Sequence, residues 1–150
     1  MKQEPLFLDD LHVGDTFVTG TRELTADDIK RFATAFDPQP FHLDDAAAAH
    51  TIFAGLAASG WHTAAVTMKL LVTGGPNLAG GIVGAGGEIE WKTPTRPDDV
   101  LHVESEVVEL IPSKSRPDRG LAVLRSRTIN QRGDVVQTLI AKLMVPRRAA

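Results

Sequence analysis

Residues 59–72 read Ser59-Gly60-Trp61-His62-Thr63-Ala64-Ala65-Val66-Thr67-Met68-Lys69-Leu70-Leu71-Val72. Trp61, Ala64, Ala65, Met68, Leu71 and Val72 recur at helical spacing, which predicts one apolar stripe packed on the core. Val66 and Leu70 add apolar surface elsewhere, and Lys69 is the only formal charge, so the helix reads as buried on several sides. Ser59 suits the N-cap, where a hydroxyl accepts from a backbone N–H two or three residues on. Gly74-Gly75-Pro76 is a strong stop. The free N–H groups and positive dipole end near Gly60 can hold a developing anion.

Upstream, residues 1–14 read as an extended lead-in with a turn at Val13-Gly14-Asp15. Thr16 to Leu24 is predicted as a strand, with Gly20 a bulge position. Thr25-Ala26-Asp27-Asp28 resembles a capping box with Asp in the Glu position. Ile29, Phe32, Ala33 and Phe36 follow at helical spacing, and Pro38 ends that helix at Phe36 or Asp37. Asp37-Pro38-Gln39-Pro40-Phe41-His42 reads as a stiff loop, because two prolines fix its backbone. Asp44 caps a short helix from Ala46 to His50, and 51–58 is a connector of mostly small residues.

Downstream the pattern changes. Gly80 to Gly87 is glycine-rich and Glu88 to Lys92 alternates. Leu101, Val103, Ser105 and Val107 alternate with His102, Glu104 and Glu106, the pattern of a half-buried strand. Pro112 to Gly120 reads as a hairpin loop, Leu121 to Asn130 as a strand, Gln131-Arg132-Gly133-Asp134 as a turn and Val135 to Val145 as the last strand. Strands joined by short loops imply antiparallel pairing. The expected class is α+β: one antiparallel sheet curved around the central helix, in a single domain spanning residues 1–150.

Composition narrows the function classes. The 150 residues are 43% hydrophobic and 23% charged, with net charge −3 and no cysteine. A chain of this length buries roughly 70% of its unfolded surface. The charge gives no electrostatic case for nucleic acid. No apolar run reaches the length of a membrane span, and Met1 to Pro5 lacks the apolar region of a secretory signal. A cytoplasmic location is the expectation. Disulfides, thiolate metal sites and a Cys nucleophile are excluded by composition.

Asp37 and His42 are the sharpest candidates for chemistry. A rigid loop brings a carboxylate and an imidazole together near the start of the central helix, where they can hold a water and move protons both ways. Read from the residues alone, the alternative stays open that Asp37 orders a turn and His42 is a satisfied core side chain. A metal site from His42, Asp44 and His50 lacks helical His spacing. Ser59 lacks the glycines of a serine elbow, and Gly80 to Gly87 lacks the strand and helix of a dinucleotide fingerprint. His12, His62 and His102 read as structural or exposed, and Arg147 and Arg148 as a solvated tail.

The run Asp37-Pro38-Gln39-Pro40-Phe41-His42-Leu43-Asp44, an alanine-rich short helix, and then Ala58-Ser59-Gly60-Trp61 opening an apolar helix resemble the MaoC-like dehydratases. These include the (R)-specific enoyl-CoA hydratases of hot-dog fold. The family motif runs Asp, any residue, Asn, Pro, an apolar residue, His, and the resemblance extends from about Leu11 to Val145 by order of elements. Gln39 stands where the family usually has Asn, Ser59 where many members have His, and Met68 about where some members carry a supporting serine. The resemblance implies that Asp37 and His42 hold and activate a water and that the Gly60 N–H stabilises the thioester oxygen. It also implies that Phe41, Ser59 and Trp61 border the substrate, with no metal or other cofactor. The reaction so implied is reversible hydration of a trans-2-enoyl-CoA, giving an (R)-3-hydroxyacyl product. It further implies a homodimer, or an assembly of dimers, with sheets joined edge to edge and the acyl tunnel at the interface. Two rivals stand beside it: a hot-dog thioesterase, distinguished by release of free thiol, and a non-catalytic acyl-CoA-binding dimer.

Overall fold

The computed structural model describes residues 4–149, so the first three positions of the predicted lead-in lie outside the described residues. The chain forms β1 (Thr16–Val18), β2 (Arg22–Leu24), α1 (Ala26–Phe36), α2 (Pro40–Leu43), α3 (Asp45–Ala48), α4 (Gly60–Gly74), β3 (Gly84–Glu90), β4 (Asp99–Pro112), β5 (Arg119–Ile129) and β6 (Val135–Pro146). The sheet runs β1-β4-β5-β6-β3, with β2 also on β4. Every strand pairing is antiparallel. The class read from the sequence is therefore the one observed.

Several local expectations need correction. The predicted strand from Thr16 to Leu24 is two strands, both paired with β4: Val18 lies opposite Glu104, and Arg22 opposite Leu101. Three residues then face two, which is the bulge anticipated at Gly20. Thr19 sets it: its N–H donates to the Val103 carbonyl at 3.0 Å, and its Oγ1 accepts from the Val103 N–H at 2.9 Å. The loop from Asp37 to His42 contains a helical turn, because Pro40 occupies its first position, where a missing N–H costs nothing. The short helix runs from Asp45 to Ala48 rather than to His50, with the Asp44 carboxylate accepting from Ala47 N–H at 3.0 Å. The tail is exposed, as read from the sequence, and is also pinned by ion pairs. Arg147 pairs with Asp9 at 3.0 Å and Arg148 with Asp10 at 2.9 Å, and the Arg148 guanidinium lies 4.8 Å from the Phe7 ring centroid.

The largest correction concerns α4. Its buried residues are His62, Thr63, Val66, Thr67, Leu70 and Leu71. Trp61, Met68 and Val72, in the predicted core stripe, are 62%, 43% and 65% exposed. Helical spacing identifies faces but not which face meets the sheet, and here both sides of the helix carry apolar residues. The decision is made by what lies opposite. Thr128 and Gln137 of the sheet are fully buried, and they and Thr95 present polar atoms that the Thr63 and Thr67 face meets with hydroxyls. Lower down the helix, Val66, Leu70 and Leu71 join Leu24, Ile29, Leu101, Val103 and Val136 in the core. His62 packs flat on Phe32 with centroids 4.5 Å apart. Burial, the largest influence, lowers its pKa from the ordinary value; nearby Asp28 opposes this, while Arg22 and Arg31 add to it.

Candidate active site

The site is assembled where α1 ends, α2 turns and α4 begins. Thr25 and Asp28 close the capping box of α1 with bonds of 3.0 and 3.1 Å, so the helix runs unbroken to Phe36 and leaves Asp37 as its C-cap. Pro40 starts the next turn and carries His42 back toward that end. The result is a contact of 3.2 Å between His42 Nε2 and Asp37 Oδ2. His42 is 4% exposed. Phe41 stands edge-on to its ring with centroids 4.5 Å apart, and Phe53 lies tilted at 6.0 Å.

The other imidazole nitrogen decides the protonation pattern. Nδ1 lies 2.6 Å from the Ala57 carbonyl oxygen, which can only accept, so Nδ1 carries a proton. In the neutral ring Nε2 is then a bare acceptor beside a carboxylate. Two acceptors side by side suit a water that donates one hydrogen to each. Once Nε2 takes a proton, the imidazolium still donates to Ala57 through Nδ1 and forms an ion pair with the Asp37 carboxylate 3.2 Å away.

Asp37 is held in place from two further directions. Gln39 Nε2 donates to Oδ1 at 2.5 Å, and the Ser59 hydroxyl lies near enough to favour the charged carboxylate. Burial works to raise the Asp37 pKa. The Ser59 hydroxyl and the bond from Gln39, together with the imidazole of His42, outweigh it and hold the carboxyl below its ordinary 3.8. Gln39, the departure from the usual Asn, therefore reaches the carboxylate as a hydrogen-bond donor. Ser59 Oγ accepts from Trp61 N–H at 3.3 Å and so caps the start of α4.

A cavity of about 320 Å³ opens on the His42 side of this pair, lined by His42, Phe53, Gly60, Thr63, Trp91 and Thr95 among others, while Asp37 stands behind His42 and outside the lining. Gly60 N–H has no backbone acceptor among the described residues. A Cβ on Gly60 would stand 2.7 Å from the Trp91 indole, so glycine is what lets the ring lie across the helix start. Of the predicted substrate neighbours, Ser59 is 1% exposed behind Asp37. Phe41 packs on His42 and Phe53. Trp61 lies outside the cavity lining, edge-on to Trp91 at 5.3 Å. No cluster of three His, Cys, Asp or Glu among the described residues is placed to hold a metal.

Arg96 and Trp91 are site residues that the linear reading misses. The Arg96 guanidinium donates to the carbonyls of Phe53, Gly55 and Leu56 at 2.5, 3.0 and 3.2 Å. It thereby shapes the connector that presents the Ala57 carbonyl to His42, including Ala54 at φ 53° and Gly55 at φ 153°. Its only sequence signal is a lone basic residue in a proline-containing loop, separated by some forty residues from the carbonyls it meets.

The chain matches the MaoC like domain over residues 11–124. It belongs to that family, and its fold is the hot-dog fold. The crystal structure of the MaoC-like dehydratase from Rhodospirillum rubrum is 59% identical, with a TM-score of 0.95 over 97% of this chain and 99% of that one. The unliganded (R)-hydratase PhaJ1 from Pseudomonas aeruginosa is 28% identical, with a TM-score of 0.77 over 96% and 88% of the two chains. The 3-hydroxybutyryl-CoA dehydratase of Methylorubrum extorquens is 34% identical over 74% of this chain and 69% of its own length. Among the described residues, no helix is long and apolar enough to cross a membrane.

Proposed function

We propose that the protein is a hydro-lyase that reversibly adds water to a trans-2-enoyl thioester of coenzyme A, giving the (R)-3-hydroxyacyl product. The observation that carries this is the Asp37–His42 pair, a half-buried carboxylate and a buried imidazole 3.2 Å apart, with His42 lining a cavity that also reaches the start of α4. The names borne by the Pseudomonas and Methylorubrum relatives support the same reading.

In the hydration direction the thioester oxygen accepts from Gly60 N–H. The water held by His42 Nε2 and Asp37 forms a bond from its oxygen to C3. One of its protons passes to Nε2, and the C2–C3 π electrons move onto the thioester oxygen. That enolate is the species the helix N-terminus stabilises. Its collapse takes a proton at C2 from the imidazolium, which restores the pair. The addition is redox-neutral, and both proton transfers are carried by side chains of the chain. Gln39 keeps the carboxylate aimed at the water.

Loss of the conjugated enoyl-thioester absorbance, followed over a panel of trans-2-enoyl-CoA substrates with chiral identification of the product, tests this. Turnover to the (R)-alcohol is the expected result. Release of free thiol without loss of the double bond would establish a thioesterase instead.

The functional unit is proposed to be a homodimer. β3 ends the sheet, so one side of its backbone is unpaired, and Trp61, Met68 and Val72 lie exposed on α4. Light scattering is expected to return about twice the 16.1 kDa chain mass. A monomer at working concentrations would contradict it.

A further inference from the structure

The space between α4 and the sheet is divided. The catalytic cavity lies at one end, with Gly60 and Thr63 of α4 and Val136 of β6 in its lining. Further along, a small apolar cavity of about 30 Å³ is lined by Met68 and Leu71 of α4, Leu124 of β5, and Leu139, Ala141 and Leu143 of β6. Between them stands a hydrogen-bonded polar group. Trp91 Nε1 donates to Gln137 Oε1 at 2.9 Å. Gln137 Nε2 donates to Thr67 Oγ1 at 3.0 Å, and the Thr67 and Thr128 hydroxyls meet at 2.6 Å. Thr67 Oγ1 in turn donates to the Thr63 carbonyl at 2.8 Å.

The register explains the placement. Thr128 pairs with Gln137, Ser126 with Leu139, and Leu124 with Ala141, so one row of the sheet passes from polar to apolar as it leaves the catalytic end. On α4 the matching order is Thr63, Thr67, Leu71, one turn apart. Thr67, Thr128 and Gln137 are each no more than 1% exposed. The group is closed on itself, and a methylene chain pushed through it would leave buried donors and acceptors without partners.

We infer that Trp91, Gln137, Thr67 and Thr128 form a polar stop that ends the acyl site and restricts the protein to short acyl thioesters. This rests on the acyl-thioester reading of the catalytic cavity. With the thioester at Gly60 and the reacting carbons at His42, a tail that runs along α4 within one protomer, and not through the interface tunnel that the family resemblance implies, meets Trp91 first and finds the apolar space under Leu71 closed off by the stop. Trp91 is held at one side by Gly60 and at the other by Gln137. Thr67 and Gln137 act on specificity and not on the reacting atoms.

The test compares wild type, Thr67→Ala/Gln137→Ala and the volume-conserving Gln137→Met. Two readouts are used: kcat/KM for trans-2-butenoyl-CoA against trans-2-octenoyl-CoA, and calorimetric affinity for saturated butyryl-CoA against octanoyl-CoA. Pocket discrimination of even one methylene is worth roughly tenfold or more, so the wild type is expected to favour the four-carbon substrate by at least about that factor. The double variant should lose most of this preference and Gln137→Met part of it. A wild type that takes octenoyl-CoA as well as butenoyl-CoA overturns the stop. So does an unchanged chain-length ratio in folded variants. If the protein binds butyryl-CoA but hydrates nothing, the hydratase reading fails and the affinity ratios still decide the stop. If no acyl-CoA binds, both fail.

Discussion

Replacing Asp37 by Asn or His42 by Gln is expected to lower hydratase turnover by about 10²–10⁴-fold, the usual contribution of a positioned general acid–base group. The geometry makes the two substitutions nearly equivalent. In Asp37→Asn the side-chain carbonyl can still accept from Gln39, so the loop should keep its shape. The neutral amide cannot balance the imidazolium that forms when His42 Nε2, 3.2 Å away, takes a proton from water. In His42→Gln the amide can keep a donor toward the Ala57 carbonyl, but it has no nitrogen that exchanges a proton near neutral pH. One water and one proton pass through both residues, so the double variant should be little slower than the worse single variant. Steady-state kinetics on folded proteins, checked by circular dichroism, decide the matter. Additive losses would mean that the two residues act in separate steps, and wild-type turnover in all three would remove the pair from the chemistry.

The second large effect is expected at Gly60, and the structure changes how it must be measured. Gly60→Pro removes the N–H, but it also adds a Cβ that would stand 2.7 Å from the Trp91 indole. Gly60→Ala adds the same carbon and keeps the N–H. The clash of the added Cβ, typically about 1–3 kcal/mol for overpacking, is therefore common to both. The lost donor appears in the difference. Gly60→Pro is expected to fall about 10²–10³-fold below Gly60→Ala in kcat, because the enolate oxygen is a stronger acceptor than the ground-state carbonyl. KM should differ much less. Equal kcat values in the two variants would show that the helix start contributes shape and not a hydrogen bond. Proline is well tolerated at a first helical position, so the helix itself is expected to survive both changes.

Much of this protein is legible from local chemistry. The capping box at Thr25 and Asp28, the stop before Pro38, the Ser59 cap and the turn from Gln131 to Asp134 are short-range devices. Each works through backbone groups only a few residues away, so a linear reading finds them. The same holds for Asp37 and His42. Four intervening residues, two of them prolines, leave the backbone few ways to run, and the two side chains meet. The alternating strands and their short connections were enough for an antiparallel α+β class.

What the chain alone did not decide was which side of α4 is inside. Trp61, Met68 and Val72 are as apolar as Val66, Leu70 and Leu71, and a period of 3.6 residues is blind to the partner across the gap. The choice was made by Thr128 and Gln137 on the sheet, which require hydroxyls opposite them and find Thr67. Arg96 escaped notice for the same reason, since the carbonyls it gathers lie some forty residues earlier in the chain. Local sequence determined where the elements begin and end and which residues face each other across one tight turn. Tertiary structure decided which faces are buried and which polar groups are paired, because a buried donor or acceptor takes whatever partner the fold brings within about 3 Å, however distant in sequence.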